Sequence, residues 1–233
     1  MKILIIIPTY NEAENIEALI HKIFDISNEL SVLVIDDNSP DKTYAVVKNL
    51  AKENSKIFAL KKEKKLGLAS AYITGIKWGI ENGFDVYCEM DADFSHNPQY
   101  LLEMMKNIAN YDVVIGSRNI KGGSVKGWSF IRNFISKGGS LYSRYVLGFP
   151  PIYDLTGGYN MWKLSAIEKI NIDSIVSEGY CFQIEIKYKA WKNGCSILEI
   201  PILFENRKNG KSKMNLKIFL EAFFKIWNIK NEK

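Results

Sequence analysis

Two kinds of apolar spacing alternate along this chain. Residues Lys2–Ile7 form a short, β-branched run that stops at Pro8, the signature of a strand buried on both faces of a parallel sheet. Ile16, Leu19, Ile20, Ile23 and Phe24 then recur at helical spacing. Asn11, with Glu14 three residues on, reads as the N-cap and N3 pair that opens this helix. Ser31–Ile35 is a second buried strand, ending at Asp36-Asp37. The pattern continues with a helix over Thr43–Glu53 (Val46, Val47 and Leu50 inward), a short strand over Lys56–Lys61 and a helix over Leu68–Asn82. A strand over Val86–Met90, a helix over Pro98–Ile108 and a strand over Val113–Gly116 complete it. The alternation predicts an α/β fold, a doubly wound and mostly parallel sheet flanked by helices.

Polar residues gather where these strands end: Thr9–Glu12, Asp36–Asp41, Asp91–His96 and Ser117-Arg118. Open α/β sheets bind ligands outside the carboxyl ends of their strands, so the four clusters predict one composite site. Asp91-Ala92-Asp93 places two carboxylates around a small residue, a pattern suited to Mg²⁺ or Mn²⁺ shared with substrate phosphates. Asp37 is placed to accept hydrogen bonds from a nucleotide base or ribose, while Asp41 caps the next helix. Neither a Gly-x-Gly-x-x-Gly turn nor a Gly-Lys-Ser/Thr loop follows the first strand, which disfavours dinucleotide and P-loop chemistry. His21 and His96 lack a partner at metal-ligand spacing, and Gln183 sits in a helical pattern that reads as structural or as a support for a site residue.

Composition narrows the picture. The 233 residues are 47% hydrophobic and 24% charged, which fits one globular domain and excludes a disordered chain. Three cysteines, an odd count, point to a reducing compartment and buried apolar roles. The net charge of +5 is unevenly spread. Arg118–Arg144 holds six basic and no acidic residues, and Arg207–Lys233 eight basic and two acidic. Each segment carries +6, which leaves −7 on the remainder. Neither Arg118 nor Arg132 has an acid nearby in sequence. The apolar start is shorter than a signal segment, and no run reaches the ~18–20 apolar residues of a membrane helix, so the chain is expected in the cytoplasm.

Residues 128–147 interleave aromatic and basic side chains, and Gly138-Gly139 divides them into two short amphipathic helices. Asn215–Ile229 is a further, strongly apolar helix with Lys217, Glu221 and Lys225 as a narrow polar stripe. Both suit an anionic membrane surface, and for the second, packing on the body or on a small membrane-spanning partner are the other readings.

Eight motifs stand in order: Pro8-Thr9-Tyr10-Asn11-Glu12, Asp36–Asp41, Lys65-Leu66-Gly67-Leu68, Asp91–Pro98, Gly116-Ser117-Arg118, Asp154-Leu155-Thr156-Gly157-Gly158, Glu178–Gln183 and Arg207–Lys213. Through them the chain resembles the inverting family 2 glycosyltransferases of the GT-A fold, and within these the polyprenol- and dolichol-phosphate mannosyltransferases. The resemblance implies a catalytic domain over residues 1–213, with 124–149 as acceptor and membrane-interface segment, and a C-terminal helix with a basic tail over 214–233. It implies donor contacts from Pro8, Tyr10, Glu12, Ile35, Asp37, Ala92, Arg207 and Lys213. Asp91 and Asp93, with Ser95 where some relatives have a third contact, would hold the Mg²⁺ or Mn²⁺. Arg118 would bridge donor and acceptor phosphates, and Arg132 and Ser136 would hold the lipid phosphate. Gly157-Gly158-Tyr159-Asn160 departs from the Ser-Gly-Phe-Arg run common in that family.

The implied activity is transfer of mannose from GDP-mannose to a polyprenyl or dolichyl phosphate. It would take place at the cytosolic face of a membrane, with no nucleic-acid partner. A glucosyltransferase using UDP-glucose, and a non-catalytic protein that binds nucleotide sugar or membrane, are the alternatives.

Overall fold

Nine strands, seven α-helices and a further helical stretch at 225–231 are described in a computed structural model, which covers residues 1–128, 130–148, 150–205 and 225–231, with the backbone alone for 130–135 and Tyr180. The order is β1 (Ile3–Thr9), α1 (Ala13–Ile26), β2 (Ser31–Asp36), α2 (Thr43–Glu53), β3 (Ile57–Lys61), α3 (Leu68–Glu81), β4 (Val86–Glu89), α4 (Tyr100–Ile108) and β5 (Val113–Ser117). It continues with β6 (Ser124–Lys126), α5 (Phe130–Val146), β7 (Asn160–Lys163), α6 (Leu164–Ile170), α7 (Gly179–Lys192), β8 (Ile197–Pro201) and β9 (Leu203–Glu205). The main sheet runs β3-β2-β1-β4-β7-β5-β8, and β6 pairs with β9 separately.

The continuous apolar runs are strands covered on both faces. Leu4 and Ile6 face one core, with Tyr72, Ile76 and Phe182; Ile3, Ile5 and Ile7 face the other, with Ile16, Leu19 and Leu101. At roughly 1.5–3 kcal/mol per fully buried side chain, a strand with two apolar faces has no solvated alternative. β1, β2, β3 and β4 pair in parallel, as do β5 and β8.

Four expectations are corrected. β7, absent from the sequence reading, lies between β4 and β5 and is antiparallel to both. Helix α5 runs unbroken through Gly138-Gly139. Two glycines cost a helix about 2 kcal/mol relative to alanine, but Ser140, Ser143, Val146 and Leu147 bury the following turns, and packing outweighs propensity. Asn11 does not cap α1: it sits in the left-handed region at φ 63°, and Glu12 takes the cap position. The cap comes from the neighbouring loop instead. Asp41 accepts Ala13 N–H (3.0 Å) at the start of α1, and Thr43 N–H (3.0 Å) at the start of α2. Burial alone would raise the Asp41 carboxyl, but these donors hold it below its usual range. Lys42, in the left-handed region at φ 70°, holds the cap position of α2, so Asp41 serves the starts of both helices from outside the cap position rather than capping α2 as expected.

Helix α3 lies close to the sheet through its glycines. A Cβ on Gly79 would stand 2.6 Å from the Tyr87 ring and 2.9 Å from Leu4, both wholly buried. Gly138 has nothing within 4 Å of such an atom. Opposite signs follow. Gly138→Ala is expected to raise stability by about 0.5–1 kcal/mol, and Gly79→Ala to lower it by roughly 1–3 kcal/mol. Urea midpoints with unchanged m values test both.

Candidate active site

The strand order reverses between β1 and β4, the crevice position where such sheets take ligands. The loops leaving β1, β2, β4 and β5 meet there. Thr9 and Asp36 are register partners at the ends of β1 and β2. Asp36 is wholly buried and spends its carboxylate on Thr9 Oγ1 (3.1 Å), Ser39 N–H (3.0 Å) and Ser39 Oγ (2.5 Å). It fixes the loop. Asp37 points the other way: its Oδ2 accepts the N–H groups of Leu66 (3.2 Å) and Gly67 (2.8 Å), where α3 begins. Its Oδ1 is buried with no hydrogen-bond partner, the Lys62 ammonium lying 3.8 Å away.

Pro8, Tyr10 and Glu12 are half-buried along the same rim. Lys65 Nζ stands 3.5 Å over the Tyr10 ring, and Glu12 Oε2 accepts Asn15 Nδ2 (2.9 Å). Ile35 is wholly buried in the core on the α3 side of the sheet. Its side chain faces that core, which leaves its backbone for the expected donor contact.

The two carboxylates after β4 differ in setting. Asp91 keeps 36% of its side chain exposed, whereas Asp93 is buried. Asp93 Oδ1 accepts both the N–H (3.1 Å) and the Oγ–H (2.5 Å) of Ser95. Ser95 therefore orients Asp93. Ala92 is buried between them. His96, which spacing alone set aside, is part of the site: its Nδ1 accepts Asp91 N–H at 3.0 Å, and its ring stacks on Tyr159 at 4.8 Å. Burial pushes the imidazole below its usual range, against the pull of Asp91 and Asp93, so His96 is a neutral wedge under the Asp91 backbone.

Among the described residues no group of three or more His, Cys, Asp and Glu side chains could hold a metal. Two carboxylates without thiolate or imidazole fit a hard cation that takes its other oxygens from phosphates and water.

Arg118 is buried and, with no acid between it and Arg132 in the sequence, pairs with a distant one. Asp154, 36 residues on, receives Nε (2.7 Å) and Nη2 (2.7 Å) side by side and also the Arg118 N–H (2.9 Å). Burial would raise the Asp154 carboxyl, but Arg118 holds it far below its usual range. Nη2 also reaches Thr156 Oγ1 (2.9 Å). The guanidinium lies 5.6 Å from the Trp128 ring and 5.4 Å from Phe204, whose ring meets His96 at 5.6 Å. Arg118 and the Asp91 loop thus share one aromatic cluster.

Ser136 is half-buried on α5, one turn before Ser140, which approaches Thr156 Oγ1 at 3.5 Å. Arg132 belongs to α5, one turn earlier, but its side chain lies outside the described part. Arg207, Lys213 and the boundary at 213–214 also lie outside it, as does most of the C-terminal helix. Its described part, 225–231, packs on the body: Ile226 and Ile229 are buried in the core on the α3 side of the sheet, and Trp227 Nε1 donates to Tyr142 Oη (3.0 Å).

Beneath the site lies a polar group the sequence did not reveal. Glu89, wholly buried, accepts Asn160 Nδ2 (2.6 Å) and Gln183 Nε2 (3.1 Å) at one oxygen. Asn160, at the departure from the family run, is therefore an interior residue. Gln183 has its amide spent on Glu89 and Asn160. Burial pushes the Glu89 carboxyl up to about 7, against the pull of Asn160, Gln183 and Lys187.

A carboxyl raised above its unfolded value binds more protons in the folded state, so its stabilisation is full below the unfolded value and is lost as pH rises through the folded one. The wild type is expected to lose stability, relative to Glu89→Gln, between pH of about 4.5 and about 7. Paired thermal denaturation curves across that window check it, and parallel curves would contradict it.

The glycosyl transferase family 2 model matches residues 4–170. The chain is 40% identical over 231 residues to the polyprenol monophosphomannose synthase of Mycolicibacterium smegmatis, covering 97% of this chain and 87% of that one. It is 40% identical over 226 residues to the undecaprenyl-phosphate mannosyltransferase of Micrococcus luteus, covering 97% and 93%. The fold matches that of a mannosyltransferase from Pyrobaculum calidifontis solved with GDP-Man and Mn²⁺, with TM-score 0.69, 18% identity, and coverage of 100% of this chain and 65% of that one. With a family match over most of its length, and a site at the sheet's switch point built on two strand-end carboxylates, this chain belongs to glycosyl transferase family 2.

Proposed function

We propose that this chain transfers mannose from GDP-mannose to a polyprenyl phosphate, with inversion at the anomeric carbon. The observation that carries the reading is the meeting of Asp91 and Asp93 with Arg118 around one aromatic cluster. The names of relatives at 40% identity supply its substrate class.

Asp37 offers its buried Oδ1, which has Lys62 near it but no hydrogen bond, to an N–H of the base, beside Pro8, Tyr10 and Glu12, while Ile35 secures the strand end from within. Ala92 lines the nucleotide. Asp91 and Asp93 hold Mg²⁺ or Mn²⁺, with Ser95 orienting Asp93. The ion would supply positive charge to offset what builds on the departing diphosphate. Arg118 lies between donor and acceptor phosphates. Because Asp154 fixes its guanidinium, Arg118 acts as a preorganised hydrogen-bond donor that needs no reorganisation during transfer. Arg132 and Ser136 hold the acceptor phosphate, and Arg207 and Lys213 close on the donor.

In the transfer, an acceptor phosphate oxygen attacks the anomeric carbon from the face opposite GDP. The new carbon–oxygen bond forms as the bond to the diphosphate breaks, and GDP leaves with the electron pair. A phosphomonoester loses its second proton near a pH of about 6, so the nucleophile is largely dianionic at neutral pH and needs no general base. Positioning and charge stabilisation then carry catalysis.

No described helix is long and apolar enough to cross a membrane. The reading places the chain peripherally, with α5 and its exposed Leu141 and Tyr145 toward the lipid.

Two variants test these roles in an assay of glycolipid formation. Asp93→Ala is expected to lose metal-dependent turnover by at least about 100-fold with its melting temperature retained; normal turnover removes the metal assignment. Arg132→Ala is expected to raise KM for the lipid phosphate about tenfold or more while GDP affinity stays level. An equal loss of GDP affinity would move Arg132 to the donor side.

A further inference from the structure

Lys187 is wholly buried on α7, where the sequence offers it no obvious duty. Its ammonium donates to the carbonyl oxygens of Gly157 (2.6 Å) and Asp154 (2.8 Å), with Leu155 at 3.5 Å. These carbonyls converge from one short loop, the loop whose Asp154 carboxylate grips Arg118. The loop is wound tightly round that carboxylate. Gly157 N–H returns to Asp154 Oδ1 at 2.9 Å, and a Cβ on Gly157 would stand 3.2 Å from it. Glu199 takes the outer N–H groups of Tyr153 (2.8 Å) and Asp154 (2.9 Å). Lys187 secures the inner side. Carbonyls turned inward together repel one another and need a donor, and one ammonium has the three hydrogens to serve them.

We propose that Lys187 is a positioning residue for the transfer reaction: by tying together the carbonyls of the 154–157 loop it holds Asp154, and through Asp154 the guanidinium of Arg118, in the orientation the phosphates require. This rests on the reading of Arg118 given above. Lys187 touches no substrate in this account. The charged groups facing it are Asp154 from the loop, Glu89 from β4, Arg118 after β5 and Glu199 from β8. Burial pulls its ammonium down to about 8, against Asp154 and Glu89, which pull it up. The charge that gathers the carbonyls is therefore present at neutral pH and lost as pH rises through that value.

The test measures kcat and KM from pH of about 6.5 to about 9.5 for the wild type, Lys187→Met, Arg118→Lys and the double variant. For Lys187→Met, kcat is expected to fall at least about tenfold, with KM for GDP-mannose within about twofold. The alkaline limb near pH 8 should disappear. The double variant should be no more than about twofold slower than Arg118→Lys, because Lys187 acts through Arg118. Unchanged kcat, a multiplicative loss in the double variant, or a limb that persists without Lys187 overturns the proposal. If Lys187→Met does not fold, the wild-type profile decides: a fall in kcat with a midpoint near 8 supports the proposal and a flat profile overturns it. A wild type that makes no glycolipid at any pH refutes the functional reading itself, an outcome separate from an active wild type matched by its variant.

Discussion

The buried pairing of Arg118 with Asp154 sets the constraint to which the rest of the site conforms. Removing two charges from water costs several kcal/mol for each, so the pair persists only if nearly every donor and acceptor is met. Asp154 meets this with five hydrogen bonds, from Arg118 Nε, Arg118 Nη2, Arg118 N–H, Gly157 N–H and, at 3.5 Å, Thr156 Oγ1. The pair pulls the 154–157 loop onto the end of β5. The chain must then re-enter the sheet beside β5, and β7 does so in the antiparallel sense, Gly116 N–H donating to Tyr159 carbonyl at 2.8 Å. Tyr159 in turn brings its ring under His96. The ion pair, the odd strand and the seating of Asp91 are consequences of one another.

The site also shows one side-chain type divided between tasks by its surroundings. Asp36 and Asp37 are adjacent, but strand geometry turns them to opposite sides: Asp36 closes a loop, and Asp37 keeps one buried oxygen without a hydrogen bond. Asp91 and Asp93 repeat the division, one half-buried and one held by Ser95. Asp41 ties the starts of α1 and α2 together. The loops around the crevice are therefore braced by carboxylates that face the protein, leaving fewer to face a ligand.

Much of this is legible in the sequence because it is local. The strands with two apolar faces appear as unbroken runs, and the residues following them are the ones the crevice gathers. Thr43–Glu53 is read to the residue. What is not legible depends on distant partners. Asn160–Lys163 is too short and mixed to read as a strand, and its place between β4 and β5 is set by the loop before it. Arg118 has no acid nearby in sequence and finds one 36 residues away. Lys187, in a helix carrying several lysines, looks like a solvated residue, and only the convergence of loop carbonyls makes it an interior one. Gly138-Gly139 carries a real helix penalty that burial of the neighbouring turns overrides.

The most direct test of the central claim is to identify the product. Purified protein is incubated with Mn²⁺ or Mg²⁺, a short polyprenyl phosphate, and either GDP-mannose or UDP-glucose, and the lipid fraction is read by mass spectrometry. The account predicts a hexosyl polyprenyl phosphate from GDP-mannose and none from UDP-glucose. Product from UDP-glucose alone, or no product while GDP-mannose still binds, would contradict it.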